Sequence, residues 1–540
     1  VPLAVVGLAD QLAAAVTGAV GHAVDLSFDT GIISVLVFGA GTNYALLLIS
    51  RYREELGRRP DHRDALAHAW RATMPAIVAS NLTVVLALGS LVLASIPGTR
   101  GLGVAAAIGL LLALATVLTL LPTALAVCGR RLFWPFIPRP GSTSTRRPSI
   151  WGVTAAVVDR RPVPVIAATL ALLGVLATGL VGTSVGLTQT DRFRSATESA
   201  AGLETLAAHF PAGLAQPLLV TTSTAHIPAV AAAIRTVPGA TLAPARGTTR
   251  PAPPEQTEPA QPTGATDLNP DTTQTAGSDS GTAVLPVILE ADPGSAEARE
   301  LVEQVRAAVH AVPGADALVG GAQATDLDAR TGQARDLRLV VPLVLAVSLV
   351  VLLVLLRSLV APVLLLSVNA LSAVATIGAG SWLGRHLFGW PALDLQVPLL
   401  AFLFLVALGI DYTIFLVHRA RSEAATTGTR TGMVTAVTQT GAVITSAGIV
   451  LAAVFAALGV LPLVTLGQLG LIVGLGVLLD TFVVRTLLVP AVFAALGERI
   501  WWPRHPGAGG RAAAARPVTP PAHVAAAGHR PEQLGSAGHH

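Results

Sequence analysis

Long apolar runs recur along this chain, and they restrict its fold more than any other feature. Each is 18 residues or more, long enough to cross hydrocarbon as a helix. Inside a bilayer every backbone polar group needs an internal partner, so only helices or a closed barrel can cross. Barrel strands would read as short alternating segments. The fold class is therefore a polytopic α-helical membrane protein. Ten spans are expected: a partial one in 1–24, then 29–50, 75–97, 102–127, 163–182, 338–356, 359–384, 396–418, 434–461 and 466–496. Hydrophobic residues make up 52% of the chain and charged ones 12%, which excludes an ordinary soluble domain.

The cations sit at the ends of these runs. Residues 51–71 carry six Arg, and Gly129-Arg130-Arg131-Leu132-Phe133-Trp134-Pro135 reads as a basic, aromatic interface anchor. Arg357, the 419–430 segment and the tail fall on the same face, so Arg bias makes that face cytoplasmic. The domain reading is 1–128 as a first membrane bundle of four spans, 129–161 as a cytoplasmic linker and 162–182 as a span. An extracytoplasmic soluble domain covers 183–337, with 17 acidic residues against 9 Arg. A second bundle of five spans covers 338–497, and a disordered tail 498–540. Within the soluble domain, 218–222, 284–289 and 317–319 look like strands, and 227–237 and 295–312 like helices. That alternation suggests a small α/β unit. A Pro-, Thr- and Gly-rich insert near 244–281 is expected to be disordered.

Several functions are excluded. The chain has no Lys, so it holds no Walker A loop. A single Cys, Cys128, excludes intrachain disulfides and thiolate clusters. No catalytic triad, cofactor loop or metal-ligand spacing is present, so neither an enzyme nor a metal protein is expected, and Arg at span ends does not imply nucleic-acid binding.

The two membrane halves repeat. Asn43-Tyr44 and Asp411-Tyr412 are 368 residues apart, as are Leu121-Pro122 and Val489-Pro490, and Trp134-Pro135 and Trp502-Pro503. Three landmarks at one offset indicate a parallel repeat. The second copy has a span, a soluble domain and two further spans before its Asp-Tyr helix; the first has one partial span. With an apolar run beginning at Val1, the expectation is a chain lacking two spans and one soluble domain at its front, from a protein of twelve spans.

Asp411 lies within an apolar run. A charge at that depth costs roughly 2.5–3.5 kcal/mol on insertion scales, so a function is the default reading. The alternative is a carboxyl held by hydrogen bonds inside a bundle.

These motifs resemble the RND superfamily, specifically the MmpL-type exporters of actinobacteria. Such proteins carry Gly-x-Asp-Tyr followed by a basic exit in each half. Here the copies read Gly41-Thr42-Asn43-Tyr44, then Arg51-Tyr52-Arg53-Glu54-Glu55, and Gly409-Ile410-Asp411-Tyr412, then His418-Arg419-Ala420-Arg421. The resemblance covers about 1–135 and 150–503. It implies a pseudo-two-fold RND-type bundle in the plasma membrane, exporting a lipid or hydrophobic compound on proton influx. It implies no cofactor beyond the proton gradient, membrane lipids as partners, and monomers or homo-oligomers. The proton relay would be Asp411, Tyr412, Tyr44 and position 43, with Asp411 facing Tyr44 and Tyr412 facing Asn43. Asn43 departs from the pattern, because an amide has no proton to release near neutral pH. An impaired or regulatory, sterol-sensing-like protein is therefore the competing reading; an accessory of protein export is disfavoured by the two-half layout.

Other polar groups in the spans are Asp480, Arg485, Ser80 and Asn81. Asp480 and Arg485 stand where the first copy has Leu112 and Val117. Five residues apart, they do not share an α-helical face, and Arg485 could snorkel to the cytoplasmic interface. Ser80 and Asn81 could line the bundle core. His418, seven residues beyond Asp411, marks the interface.

Overall fold

The computed structural model describes residues 1–26, 28–134, 150–188, 191, 194, 198–209, 212–243 and 281–504. Among them, ten helices are long and apolar enough to cross a membrane. The chain is a multi-pass membrane protein. The first half comprises α1 (Pro2–Val24), α2 (Thr30–Leu56), α3 (His62–Gly89) and α4 (Pro97–Cys128). Side chains start two of these helices: Asp29 accepts from Gly31 N (2.8 Å) and Asp61 from Arg63 N (3.1 Å). Pro97 opens α4 at its first turn, where a missing N–H costs nothing.

A short helix, α5 (Ile150–Arg160), precedes α6 (Pro162–Ala177). The stretch expected as linker, 129–161, thus contains a helix at 150–160. Trp151, Ala155 and Val158 recur at helical spacing and turn toward the bundle; Trp151 covers Gly441. Residues 135–149 lie outside the described residues.

The soluble unit contains α7 (Glu198–His209), β1 (Leu218–Ser223), α8 (Ile227–Arg235), β2 (Ala240–Leu242), β3 (Thr282–Leu289), α9 (Ala296–His310) and β4 (Leu318–Gly320). Its sheet runs β2-β3-β1-β4 with every pair antiparallel, a split β-α-β arrangement. Alternate strand residues Leu218, Val220, Val287 and Leu289 pack with Val230, Ile234, Val302 and Val305 of α8 and α9. β2 was not anticipated, since three residues give too short a pattern. Most of the expected insert, residues 244–280, lies outside the described residues.

The second half comprises α10 (Ala322–Leu356), α11 (Val360–Phe388), α12 (Val397–Thr427), α13 (Thr429–Leu458), α14 (Val464–Leu479), a π-helical stretch (Asp480–Leu488) and α15 (Val489–Leu496). The boundary expected at 337/338 does not exist: α10 begins in the soluble unit and runs unbroken into the bundle. Nor is the segment from 498 all tail. Ile500 and Trp501 are fully buried, Trp501 Nε1 donates to Thr429 Oγ1 (2.9 Å), and Glu498 accepts from Thr429 N (3.0 Å). Residues 505–540 lie outside the described residues.

The halves meet through repeat-equivalent contacts. α12 packs on α3, and its counterpart α2 packs on α13. α12 is almost wholly enclosed, whereas α6 and α10 leave most of their apolar surface facing outward.

Candidate functional site

The two repeat-equivalent polar residues face one another at this seam. Asn43 Nδ2 of α2 donates to Asp411 Oδ2 of α12 at 2.9 Å. Both side chains are buried, and equivalent residues in direct contact lie on the pseudo-two-fold axis. Asp411 Oδ1 and Asn43 Oδ1 have no hydrogen-bond partner among the described residues. Orphaned buried acceptors are costly, so this pair holds unused capacity for a proton or a water.

Tyr44 is fully buried and its hydroxyl lies within electrostatic reach of Asp411. Asn81 Nδ2 approaches that hydroxyl (3.5 Å) while donating to Leu110 O (3.1 Å), and Ser80 is buried beside it. Tyr412 does not hydrogen-bond Asn43. Its hydroxyl has no partner among the described residues, and its ring lies under Arg485, whose guanidinium carbon is 4.8 Å from the ring centroid. The pairing differs because Asn43 and Asp411 themselves occupy the axis.

The largest departure concerns Asp480 and Arg485. They form a buried ion pair. Regular helical spacing separates residues five apart, but the backbone from Asp480 to Leu488 is π-helical, and i→i+5 bonding brings them onto one face. Thr486 Oγ1 reaches Thr481 O, again five back, at 2.8 Å. Arg485 does not snorkel. It is 3% exposed, and it donates to Gly409 O (3.1 Å), two residues before Asp411. Arg485 Nε and Nη1 have no hydrogen-bond partner among the described residues.

Asn369 was not singled out from sequence. It is buried on α11 against Gly409 and donates to Val406 O (2.9 Å). A lone amide in an apolar run was the available signal. His418 is exposed at the α12 exit. Among the described residues no group of three or more His, Cys, Asp or Glu is assembled to hold a metal.

Two related helical bundles, joined along a polar seam and carrying an outward αβ unit, define a two-half multi-pass membrane protein. The chain belongs to the MMPL family, which it matches over residues 1–165 and 193–519. It is 44% identical over 475 residues to the Streptomyces coelicolor membrane protein SCO0839, covering 88% of this chain and 64% of that protein. It is 33% identical over 495 residues to the apo-petrobactin exporter of Bacillus anthracis, covering 87% of this chain and 63% of that protein. The chain thus spans under two thirds of the length of these relatives. Among solved structures, SecDF from Thermus thermophilus, a translocon-associated membrane protein, shares the fold: TM-score 0.51 at 16% identity, over 91% of this chain and 58% of that one.

Proposed function

We propose that this chain forms the membrane core of a proton-driven exporter of a lipid or other hydrophobic compound, with Asp411 carrying the proton. One observation carries the reading. A carboxylate is buried on the axis between the halves, bonded across it by one oxygen only. Protonating Asp411 removes a charge from the seam and turns one of its oxygens into a donor. Asn43 donates to the ionised carboxylate but cannot compete for its proton. Arg485, held by Asp480 and Gly409 O, supplies a fixed positive charge nearby. The preferred packing of α2 against α12 therefore differs between the two protonation states, and each proton crossing 100 mV supplies roughly 2.3 kcal/mol toward that change.

The hydrophobic cargo is supported by an apolar groove of about 560 Å³ where α6 meets α11 and α14. Leu176, Trp382, Leu383, Leu475 and Leu479 line it. The exporter reading also draws on the likeness to the apo-petrobactin exporter of Bacillus anthracis.

The test is substrate efflux from energised vesicles across a range of imposed pH gradients. Asp411→Asn should keep the fold and abolish dependence on the gradient. Gradient-dependent efflux unchanged in that variant would remove Asp411 from the mechanism. Asn43 favours a second reading, a regulatory protein without proton coupling. Asn43→Asp separates the two: an impaired pump gains efflux, and a regulator does not.

A further inference from the structure

A second polar feature lies outside the seam. Where α10 leaves the soluble unit and approaches the bundle, a cleft of about 650 Å³ opens between α10 and α9. That volume is in the range of small-molecule sites. Its lining includes Arg299, Arg330, Arg335 and Arg338, with Leu327 and Leu339, and no carboxylate among the described residues.

The four cations are not equally occupied. Arg299 donates to Gly294 O (2.7 Å). Arg330 pairs with Asp326 (2.7 Å) and donates to Val185 O (2.9 Å). Arg335 and Arg338 make no hydrogen bond or ion pair among the described residues. The opposite face of the same turns is committed elsewhere: Gly332 meets Ser95 and Ile96, and Asp336 accepts from Ser95 N at 2.7 Å. α10 therefore has one face bound to the first half and one face that gathers free positive charge.

Three points identify the occupant. Uncompensated guanidinium groups call for an anion, and Arg suits phosphate or carboxylate through paired donors. These Arg lie at the bundle end opposite the Arg-rich loops, where the bias of membrane proteins disfavours cations, so interface anchoring does not account for them. Below them the surface turns apolar: Leu339 at the cleft floor is exposed, and Val350 and Val354 continue down the outward face of α10. A soluble anion would have no use for that stripe.

We propose that this cleft binds the headgroup of an anionic amphiphile whose tails lie along the outward face of α10. The site is independent of the proton reading and stands whether or not Asp411 titrates.

The experiment compares lipid retention by the whole chain in nanodiscs. One set contains phosphatidylcholine alone, the other phosphatidylcholine with a quarter phosphatidylglycerol, and bound lipid is read by native mass spectrometry after mild delipidation. Wild-type protein should retain phosphatidylglycerol selectively. Arg335→Ala/Arg338→Ala should bind it about 30-fold more weakly, from roughly fivefold per cation near a membrane surface. Arg335→Lys/Arg338→Lys should recover part of the binding, since it restores the charge without the paired donors, which shows that charge rather than folding was lost. Thermal unfolding of the alanine variant should match wild type, because neither side chain has a partner to lose. Equal retention of both lipids by wild type, or undiminished phosphatidylglycerol in a folded alanine variant, would overturn the proposal. So would displacement of the lipid by inorganic phosphate at equal concentration, since a site for the free anion needs no tails.

Discussion

Replacing Arg485 by Met and Asp480 by Leu, singly and together, measures how far the ion pair holds the π-helical stretch. The Arg485 side chain is 3% exposed and that of Asp480 12%, so solvent screens the pair little. Removing one partner of such a pair leaves the other charge buried alone, at a cost of about 3–5 kcal/mol. In Arg485→Met the carboxylate is orphaned, and Gly409 O also loses a donor. In Asp480→Leu the guanidinium keeps Gly409 O and the Tyr412 ring, so the loss should sit near the lower bound, about 3 kcal/mol. The double variant replaces two charges by apolar groups of similar size and should lie within about 1–2 kcal/mol of wild type. The cycle then yields a coupling of at least about 4 kcal/mol. That magnitude discriminates, because hydrogen bonds between membrane helices average about 0.6 kcal/mol in such cycles. Equilibrium unfolding in mixed micelles, followed by tryptophan fluorescence, supplies the four free energies. A coupling at or below the hydrogen-bond value would refute the idea that this pair holds the π-helical stretch.

Two further perturbations test the same logic elsewhere. Asp328→Ala breaks a two-pronged contact with Arg306 (2.6 and 2.8 Å), yet the Asp328 side chain is 61% exposed, so the loss should stay below about 1 kcal/mol and shrink in high salt; a loss of several kcal/mol would show that exposure misjudges this pair. Gly378→Ala would push a methyl group to 2.5 Å from Leu176 O and 3.0 Å from Ala177 O where α6 and α11 touch, and should cost about 1–3 kcal/mol by thermal unfolding; an unchanged melting curve would mean that α6 re-seats freely.

The sequence made some of this geometry legible and hid the rest, for physical reasons. Hydrocarbon thickness fixes how long an apolar run must be, so the helices could be read directly, and the 368-residue offset showed that Asn43 and Asp411 are equivalent. Their direct contact follows from that equivalence once both lie on the axis. The Asp480–Arg485 pair was not legible, because reading faces at 3.6 residues per turn assumes the backbone that these residues abandon. The helix at 150–160 within the expected linker was not legible, since its apolar face is only three residues wide. The run of α10 past position 337 was missed because polar composition marks where water is, not where a helix stops.

That continuity has a mechanical consequence. At 1.5 Å per residue the 35 residues of α10 make a bar about 50 Å long, and a lean of 5° at one end displaces the other by about 4 Å. No loop stands between the two ends to absorb such a swing; Pro342 is the only interior break in its hydrogen-bond ladder. With Asp336 pinned to the turn before α4, the bar has a fulcrum near its middle, so small shifts among the spans are delivered to the sheet as leverage.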